Sequence, residues 1–158
     1  MLNKQTVKLG TGLTTGDDFR QALKMADMKF GSWTSDLLNQ SAFKISGKPI
    51  EVVLSALTVA ELGFEHGASY VDICMQILQL EHSLCQPEHG PQLRLQYKDQ
   101  PEGEELYMAM EPIHSSHGDP ETFAVSHQSG GGLWLCVSSA SPDCFYDAYS
   151  WFAFVCRK

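Results

Sequence analysis

Histidine and cysteine side chains in two short segments are the first residues of this chain whose types could do chemistry. His82, Cys85 and His89 form one spaced group, and His114 and His117 form another. Zinc takes four nitrogen or sulfur ligands, often as two closely spaced pairs that the fold brings together. A hairpin between the two segments would do this. The spacing follows no established zinc pattern, so we favour solvated histidines beside a packed cysteine, and we expect no metal and no cofactor.

A thiol nucleophile is the second chemistry that these residue types allow. Cys85 or Cys136 would pair with His82 or His127, and such a thiol needs a lowered pKa and an exposed, electropositive setting. Cys136 lies in an apolar strand pattern within acidic sequence, which opposes thiolate formation. The chain has five cysteines and no CxxC motif. We therefore predict reduced thiols that mostly fill core positions.

Acidic residues form two groups, Glu102, Glu104 and Glu105 in one segment and Asp143 and Asp147 in another. General acid–base catalysis needs two carboxyls in different environments, one of them desolvated. Acids in a turn more often form a solvated cap, so we predict no catalysis there.

Aromatic residues accompany the second acidic group. Residues 141–149 include Phe145, Tyr146 and Tyr149. Exposed loop aromatics commonly anchor protein partners or small ligands. The alternative is that these rings fold back over the sheet as a lid. We treat the three rings as candidate binding residues.

The distribution of charge argues against nucleic-acid and membrane partners. The net charge is −8; residues 1–48 carry seven Lys or Arg against four Asp or Glu, and residues 49–158 carry four against fifteen. Acidic surfaces repel phosphates and anionic lipids and gain nothing from counterion release. Residues 58–83 have the layout of a helix–turn–helix unit, but they contain no lysine or arginine. We therefore expect no binding to DNA or RNA.

The N-terminal residues predict no export signal. Residues 1–18 lack the apolar core and cleavage site of a signal peptide. No apolar run approaches the length that spans a bilayer. Together with the reduced cysteines, these features predict a cytoplasmic protein.

Capping patterns predict where the helices that position these residues begin. A capping box at Thr15 opens a helix over about 17–29. Similar boxes begin at Thr58, for a short helix, and at Ser69, for the clearest helix of the chain. Residues 50–56 are ambiguous between strand and helix, and their β-branched run favours a strand.

The period of the apolar residues changes from helical to two after Pro91. Residues 93–98 alternate as a strand would, and a turn connects them to a partner strand at 105–111. The sequence predicts three more strands, at 122–127, 133–138 and 151–156. The last of these is apolar on both faces, which predicts a central position in the sheet.

These elements predict one α+β domain over residues 1–158, with N-terminal helices packed on a C-terminal antiparallel meander of about five strands. Residues 1–14 are expected to be loosely ordered, residues 15–90 mainly helical and residues 91–158 mainly β. A sheet of this kind leaves edges that a second copy could cover. The sequence therefore allows a homo-oligomer.

The run LCQPEHGPQLRLQYKDQPEGE, followed by MAMEPI and GLWL, resembles a family of short uncharacterised bacterial proteins over roughly residues 15–158. The resemblance implies no activity, cofactor or catalytic residue, and weakly suggests an accessory role. It involves ten positions: Cys85, Pro87, Gly90, Pro91, Leu93, Arg94, Tyr97, Asp99, Gln100 and Pro101. Among these, Arg94, Tyr97 and Asp99 are further candidates for partner or ligand contacts.

Two functional hypotheses remain. The favoured one is a non-enzymatic binding protein that presents an acidic, aromatic face to a basic or apolar protein partner or to a small ligand. The alternative is a small metal-dependent hydrolase that uses the two histidine groups, His82, Cys85 and His89 with His114 and His117.

Overall fold

A computed structural model describes residues 2–157. Its four short helices are α1 (Gly16–Met25), α2 (Ser32–Leu38), α3 (Tyr70–Gln79) and α4 (His89–Gln96). Its strands are β1 (Gln5–Leu9), β2 (Lys29–Phe30), β3 (Ile50–Thr58), β4 (Ala68–Ser69), β5 (Glu105–Met108), β6 (Ile113–His114), β7 (Pro120–Gln128), β8 (Gly132–Ser139), β9 (Phe145–Tyr146) and β10 (Trp151–Val155).

Seven strands form one curled, half-barrel sheet in the order β1-β3-β10-β5-β7-β8-β2, and β6 pairs with β7 beside this path. The sheet is mixed, because β10 runs parallel to β5 and β2 runs parallel to β8. The other neighbours are antiparallel. Strands β4 and β9 form a separate two-stranded ribbon.

The prediction of an antiparallel meander of about five strands is therefore wrong. The sheet is larger, because β1 and β3 from the N-terminal half join it. It is mixed, because β10 inserts between β3 and β5 instead of following the chain order. Residues 5–9, which we expected to be loosely ordered, form its edge strand β1.

The predicted strand over residues 93–98 is also wrong, since most of this segment belongs to helix α4. Six consecutive residues from His89 to Arg94 are buried, and a helix that is buried all round has no one-sided apolar stripe to reveal it. Pro91 lies in the first turn, where a missing amide hydrogen costs nothing. Gly90 permits the close approach to β7, because a Cβ there would lie 2.7 Å from the Cβ of Phe123.

Most of the locally encoded elements are as predicted, and one is not. The Thr15 hydroxyl accepts from the Asp18 amide at 3.1 Å, and the Asp18 carboxylate accepts from the Thr15 amide at 3.2 Å, which completes the capping box of α1. Ser69 caps α3. The ambiguous segment is strand β3. Thr58 and Glu61 form the expected reciprocal hydrogen bonds, but they close a turn and not a helix.

The sheet separates two apolar cores. Ala153 of β10 packs in the larger core with α1, α2 and α4, whereas its neighbours Phe152 and Phe154 pack in a second core with α3. Successive strand residues point to opposite faces. Strand β10 is therefore covered on both sides, as its apolar sequence predicted, and it carries α3 on one face and α4 on the other.

Candidate functional site

Arg94 lies inside the larger core. Its side chain is fully buried; Nη1 donates to Gln100 Oε1 at 2.6 Å and to the Ser126 carbonyl at 3.1 Å, and Nη2 donates to the Tyr97 carbonyl at 2.6 Å. Burial lowers the pKa of the guanidinium to about 10. These contacts hold the end of α4 against the following loop and β7. Arg94 therefore has a structural role, and its buried side chain is not accessible to a partner.

Tyr97 and Asp99, the other two candidates from this segment, lie in different environments. Tyr97 is buried and its hydroxyl donates to Glu104 Oε1 at 2.9 Å; burial raises the pKa of that hydroxyl. Asp99 is exposed and lines a cleft with residues 2–6, which the edge of Tyr97 also borders. Of the three predicted residues, only Asp99 is exposed.

A second buried polar anchor, Glu88, was not predicted from the sequence. The carboxylate is 2% exposed; Oε1 accepts from the Ser46 amide at 2.6 Å, and Oε2 accepts from the Gly10 amide at 3.2 Å and from Gln92 Nε2 at 3.0 Å. It therefore fixes two N-terminal loops to α4. No local sequence signal marks it, because two of its three partners are backbone amides distant in the chain.

The two histidine groups do not form a metal site. Within residues 2–157, no group of three or more His, Cys, Asp or Glu side chains is placed to hold a metal ion. His82 stacks on Phe154 at a centroid distance of 4.6 Å, and His117 lies 5.9 Å from the Trp33 ring. His114 is exposed on β6. The hydrolase alternative therefore has no ligand cluster among the described residues.

His89 is the buried member of these groups. Its Nδ1 accepts from the Gln86 amide at 2.7 Å, and its Nε2 has no hydrogen-bond partner among residues 2–157. Burial lowers the pKa of the imidazole to about 4, although the neighbouring Glu88 opposes this shift. The ring is therefore neutral at physiological pH.

The thiols are likewise not arranged for nucleophilic catalysis. All five cysteines are free. Burial raises the pKa of both Cys85 and Cys136, which lowers the thiolate fraction that a nucleophile needs. The proposed bases are engaged elsewhere: His82 accepts from the Arg157 amide, and His127 is bonded to the Gln100 carbonyl.

A cleft of about 430 Å³ brings together members of the two acidic groups that the sequence singled out, Glu104 and Glu105 with Asp147. Glu102 and Asp143 do not line it. Strands β5 and β10 run parallel, with Leu106 opposite Trp151, so the loops that precede both strands lie at the same edge. Glu104 and Glu105 at the start of β5 thereby lie beside the loop before β10. That loop contributes Asp147 and Tyr149. We call this the acidic cleft, and its lining residues are Gly103, Glu104, Glu105, Tyr107, Asp147, Tyr149, Ser150 and Trp151.

Hydrogen bonds hold the carboxylates of the acidic cleft in place. Glu105 Oε1 accepts from the Tyr107 hydroxyl at 2.5 Å. Asp147 Oδ1 accepts from the Tyr149 amide at 2.9 Å and from the Ser150 hydroxyl at 3.2 Å. Burial, the bond to Glu105 and the charge of Asp147 all raise the pKa of the Tyr107 hydroxyl. The cleft thus carries negative charge, and none of its lining residues is a lysine or arginine.

The three candidate aromatics of the C-terminal loop differ in exposure. Tyr149 is 85% exposed and lines the acidic cleft. Phe145 is 63% exposed but lies against Gly67, where a Cβ would come within 2.4 Å of the ring. Tyr146 is buried, and its hydroxyl donates to the Ser139 carbonyl at 2.5 Å. The sequence had not indicated Trp151 as a cleft residue, because it begins a buried strand.

The chain has no significant match among protein-family models, curated proteins or solved structures. None of the helices within residues 2–157 is long and apolar enough to cross a membrane.

Proposed function

We propose that this protein is a non-enzymatic binding protein whose acidic cleft receives an arginine or lysine side chain of a partner protein. The observation that carries the proposal is the meeting of three carboxylates, Glu104, Glu105 and Asp147, with aromatic rings in one cleft whose lining within residues 2–157 includes no lysine or arginine. Hydrogen bonds from tyrosine, serine and main-chain donors hold all three carboxylates, so the site is formed before a partner arrives.

The chemistry of the cleft suits a guanidinium better than other groups. Carboxylates give arginine short, charge-assisted hydrogen bonds, and the planar guanidinium also stacks on aromatic faces. Tyr107, Tyr149 and Trp151 provide such faces. The same negative charge repels phosphates and carboxylates, so nucleic acids and acidic peptides are not ligands of this site.

The proposal includes a cytoplasmic location and an accessory role in a bacterium. Five unpaired cysteines support the location, because disulfides are rare where thiols are kept reduced. The accessory role rests on the resemblance to short bacterial proteins. The proposal implies a partner protein that has an exposed basic segment.

Calorimetric titration with short peptides tests the proposal. The probes are three soluble hexapeptides that alternate glycine with arginine, lysine or glutamate. We expect binding in the order arginine, lysine, glutamate, with affinity that falls as salt rises. Replacing Glu105→Gln together with Asp147→Asn should weaken arginine-peptide binding about tenfold.

Glu102→Gln together with Asp143→Asn is the matched control. Both residues are exposed and neither lines the cleft, so this pair also removes two charges but leaves the site untouched. Equal loss of affinity in the control and in the Glu105/Asp147 variant would attribute binding to net charge alone. Undiminished binding in the Glu105/Asp147 variant would refute the proposed site. A pull-down with both proteins then identifies the partner.

A further inference from the structure

Helix α3 has apolar residues on its outer face as well as on its inner face. Val71, Met75 and Leu78 recur at the spacing of one helix face and are 41%, 54% and 50% exposed. The opposite face, with Ile73 and Ile77, is fully buried against the second core. The outer stripe therefore leaves about half of each side chain exposed to solvent.

An apolar pocket of about 190 Å³ lies at the N-terminal end of this stripe. Val71 belongs to both, so the stripe and the pocket are continuous. The pocket is large enough for one bulky apolar side chain, and its walls include Cys74, Leu84, Met110 and Pro142. We call the stripe and the pocket together the α3 groove. Grooves of this type bind amphipathic helices, which insert anchors spaced three, four and seven residues apart.

The charges around the α3 groove are negative. Asp72 lies on α3 itself, Glu111 lines the pocket, and Asp143 follows the pocket residue Pro142. No lysine or arginine occurs between residues 49 and 93. Arg157, which follows the last strand, is paired with Glu81 beyond the other end of α3. The groove is thus complementary to an apolar surface that carries positive charge at its margins.

We infer that the α3 groove binds an amphipathic helix of a partner protein that has lysine or arginine beside its apolar face. One large apolar residue of that helix fills the pocket beside Val71. Residues on its next turns contact Met75 and Leu78, and flexible methionines adapt well to such surfaces. Its basic residues meet Asp72 and Glu111.

A second copy of this chain fits the groove less well. Each copy carries a net charge of −8, and the groove itself is rimmed by acids, so two copies repel each other there. A ten-residue helix is about 15 Å long. One bound helix needs no more than a groove of this length, because its anchors repeat every three or four residues.

The inference is independent of the acidic cleft, because the two sites share no lining residue. The probe is a fluorescein-labelled 18-residue helical peptide of leucine and lysine, with leucines on one face. A peptide in which glutamate replaces every lysine is its control. Fluorescence anisotropy should show binding of the leucine–lysine peptide and at least tenfold weaker binding of the leucine–glutamate peptide.

Substitutions on α3 separate groove binding from general attraction between charges. The double change Met75→Gln with Leu78→Gln keeps the net charge and the helix, and it should weaken peptide binding about tenfold or more. Met25→Gln is the matched control, since Met25 is 89% exposed on α1. Glu111→Gln should weaken binding and reduce its salt dependence. Circular dichroism verifies that each variant is folded.

Three results would overturn the inference. The first is equal binding by wild type and by the Met75/Leu78 variant. The second is loss of binding in the Glu105/Asp147 variant, which would place the peptide in the acidic cleft. The third is a dimer in sedimentation experiments that the Met75/Leu78 variant dissociates, which would assign the groove to a second copy.

Discussion

The guanidinium of Arg94 donates to the main-chain carbonyl of Tyr97 at 2.6 Å, inside a core that shields Arg94 fully from solvent. A buried charge of this kind is costly unless its donors are matched. Gln100 and the Ser126 carbonyl take two further bonds from Nη1, whereas Nε has no hydrogen-bond partner among residues 2–157. The arginine therefore acts as an internal cross-link between α4, the loop after it and β7.

We expect Arg94→Ala to lower the free energy of unfolding by about 3–5 kcal/mol, because it removes the cation and leaves buried acceptors unpartnered. Urea denaturation monitored by tryptophan fluorescence measures the change. Lys98→Ala is the control: Lys98 is an exposed basic residue of the same segment and should change stability by less than about 0.5 kcal/mol. Similar values for both variants would contradict the structural role of Arg94.

Buried His89 should make the protein sensitive to acid. Its imidazole titrates at about pH 4 when folded and at about 6.5 when unfolded. Between these values the unfolded state binds a proton that the folded state does not, so stability falls as pH drops from about 6.5 to about 4. The total loss is on the order of 3 kcal/mol.

Urea denaturation at pH 7 and pH 5 measures this dependence. His89→Gln should reduce the difference in stability between the two pH values, because glutamine does not titrate. His66→Gln should leave the difference unchanged, since His66 is exposed. An identical pH dependence in wild type and in the His89 variant would assign the acid sensitivity to other groups.

Glu88 should protect two distant amides from exchange. Its oxygens accept from Ser46 and from Gly10, and a glutamine has only one oxygen with which to accept. Glu88→Gln should lower the free energy of unfolding by about 1–3 kcal/mol. Hydrogen exchange at Gly10 or Ser46 should become faster than in wild type. Glu51→Gln, a change at an exposed glutamate of β3, should accelerate neither amide.

Elements that depend on neighbouring residues could be predicted from the sequence. The caps at Thr15 and Ser69 and the β-branched run of β3 act locally, and the structure has each of them. Helix α4 could not be predicted, because burial on every side removes the periodicity on which a prediction depends. Its alternating Leu93 and Leu95 instead imitated a strand.

The acidic cleft illustrates the same limit. The sequence indicated Glu105 in one acidic group and Asp147 with Tyr149 in another, and all three residues line the cleft. Their meeting depends on the parallel pairing of β5 with β10. Such pairing joins residues far apart in the chain and leaves no local pattern, so a consecutive meander was the simpler prediction.

Gly90 should be intolerant of any side chain. A Cβ at this position would lie 2.7 Å from the Phe123 Cβ, closer than two carbon atoms can pack, so α4 would have to move away from β7. Gly90→Ala should therefore lower the free energy of unfolding by about 1–3 kcal/mol, as measured by urea denaturation. Gly47→Ala is the control, because a Cβ there meets nothing within 4 Å. Replacing Phe123→Ala would enlarge the space facing Gly90. The cost of Gly90→Ala should then be smaller in the Phe123→Ala background than in wild type, and an unchanged cost would show that Phe123 is not the obstacle.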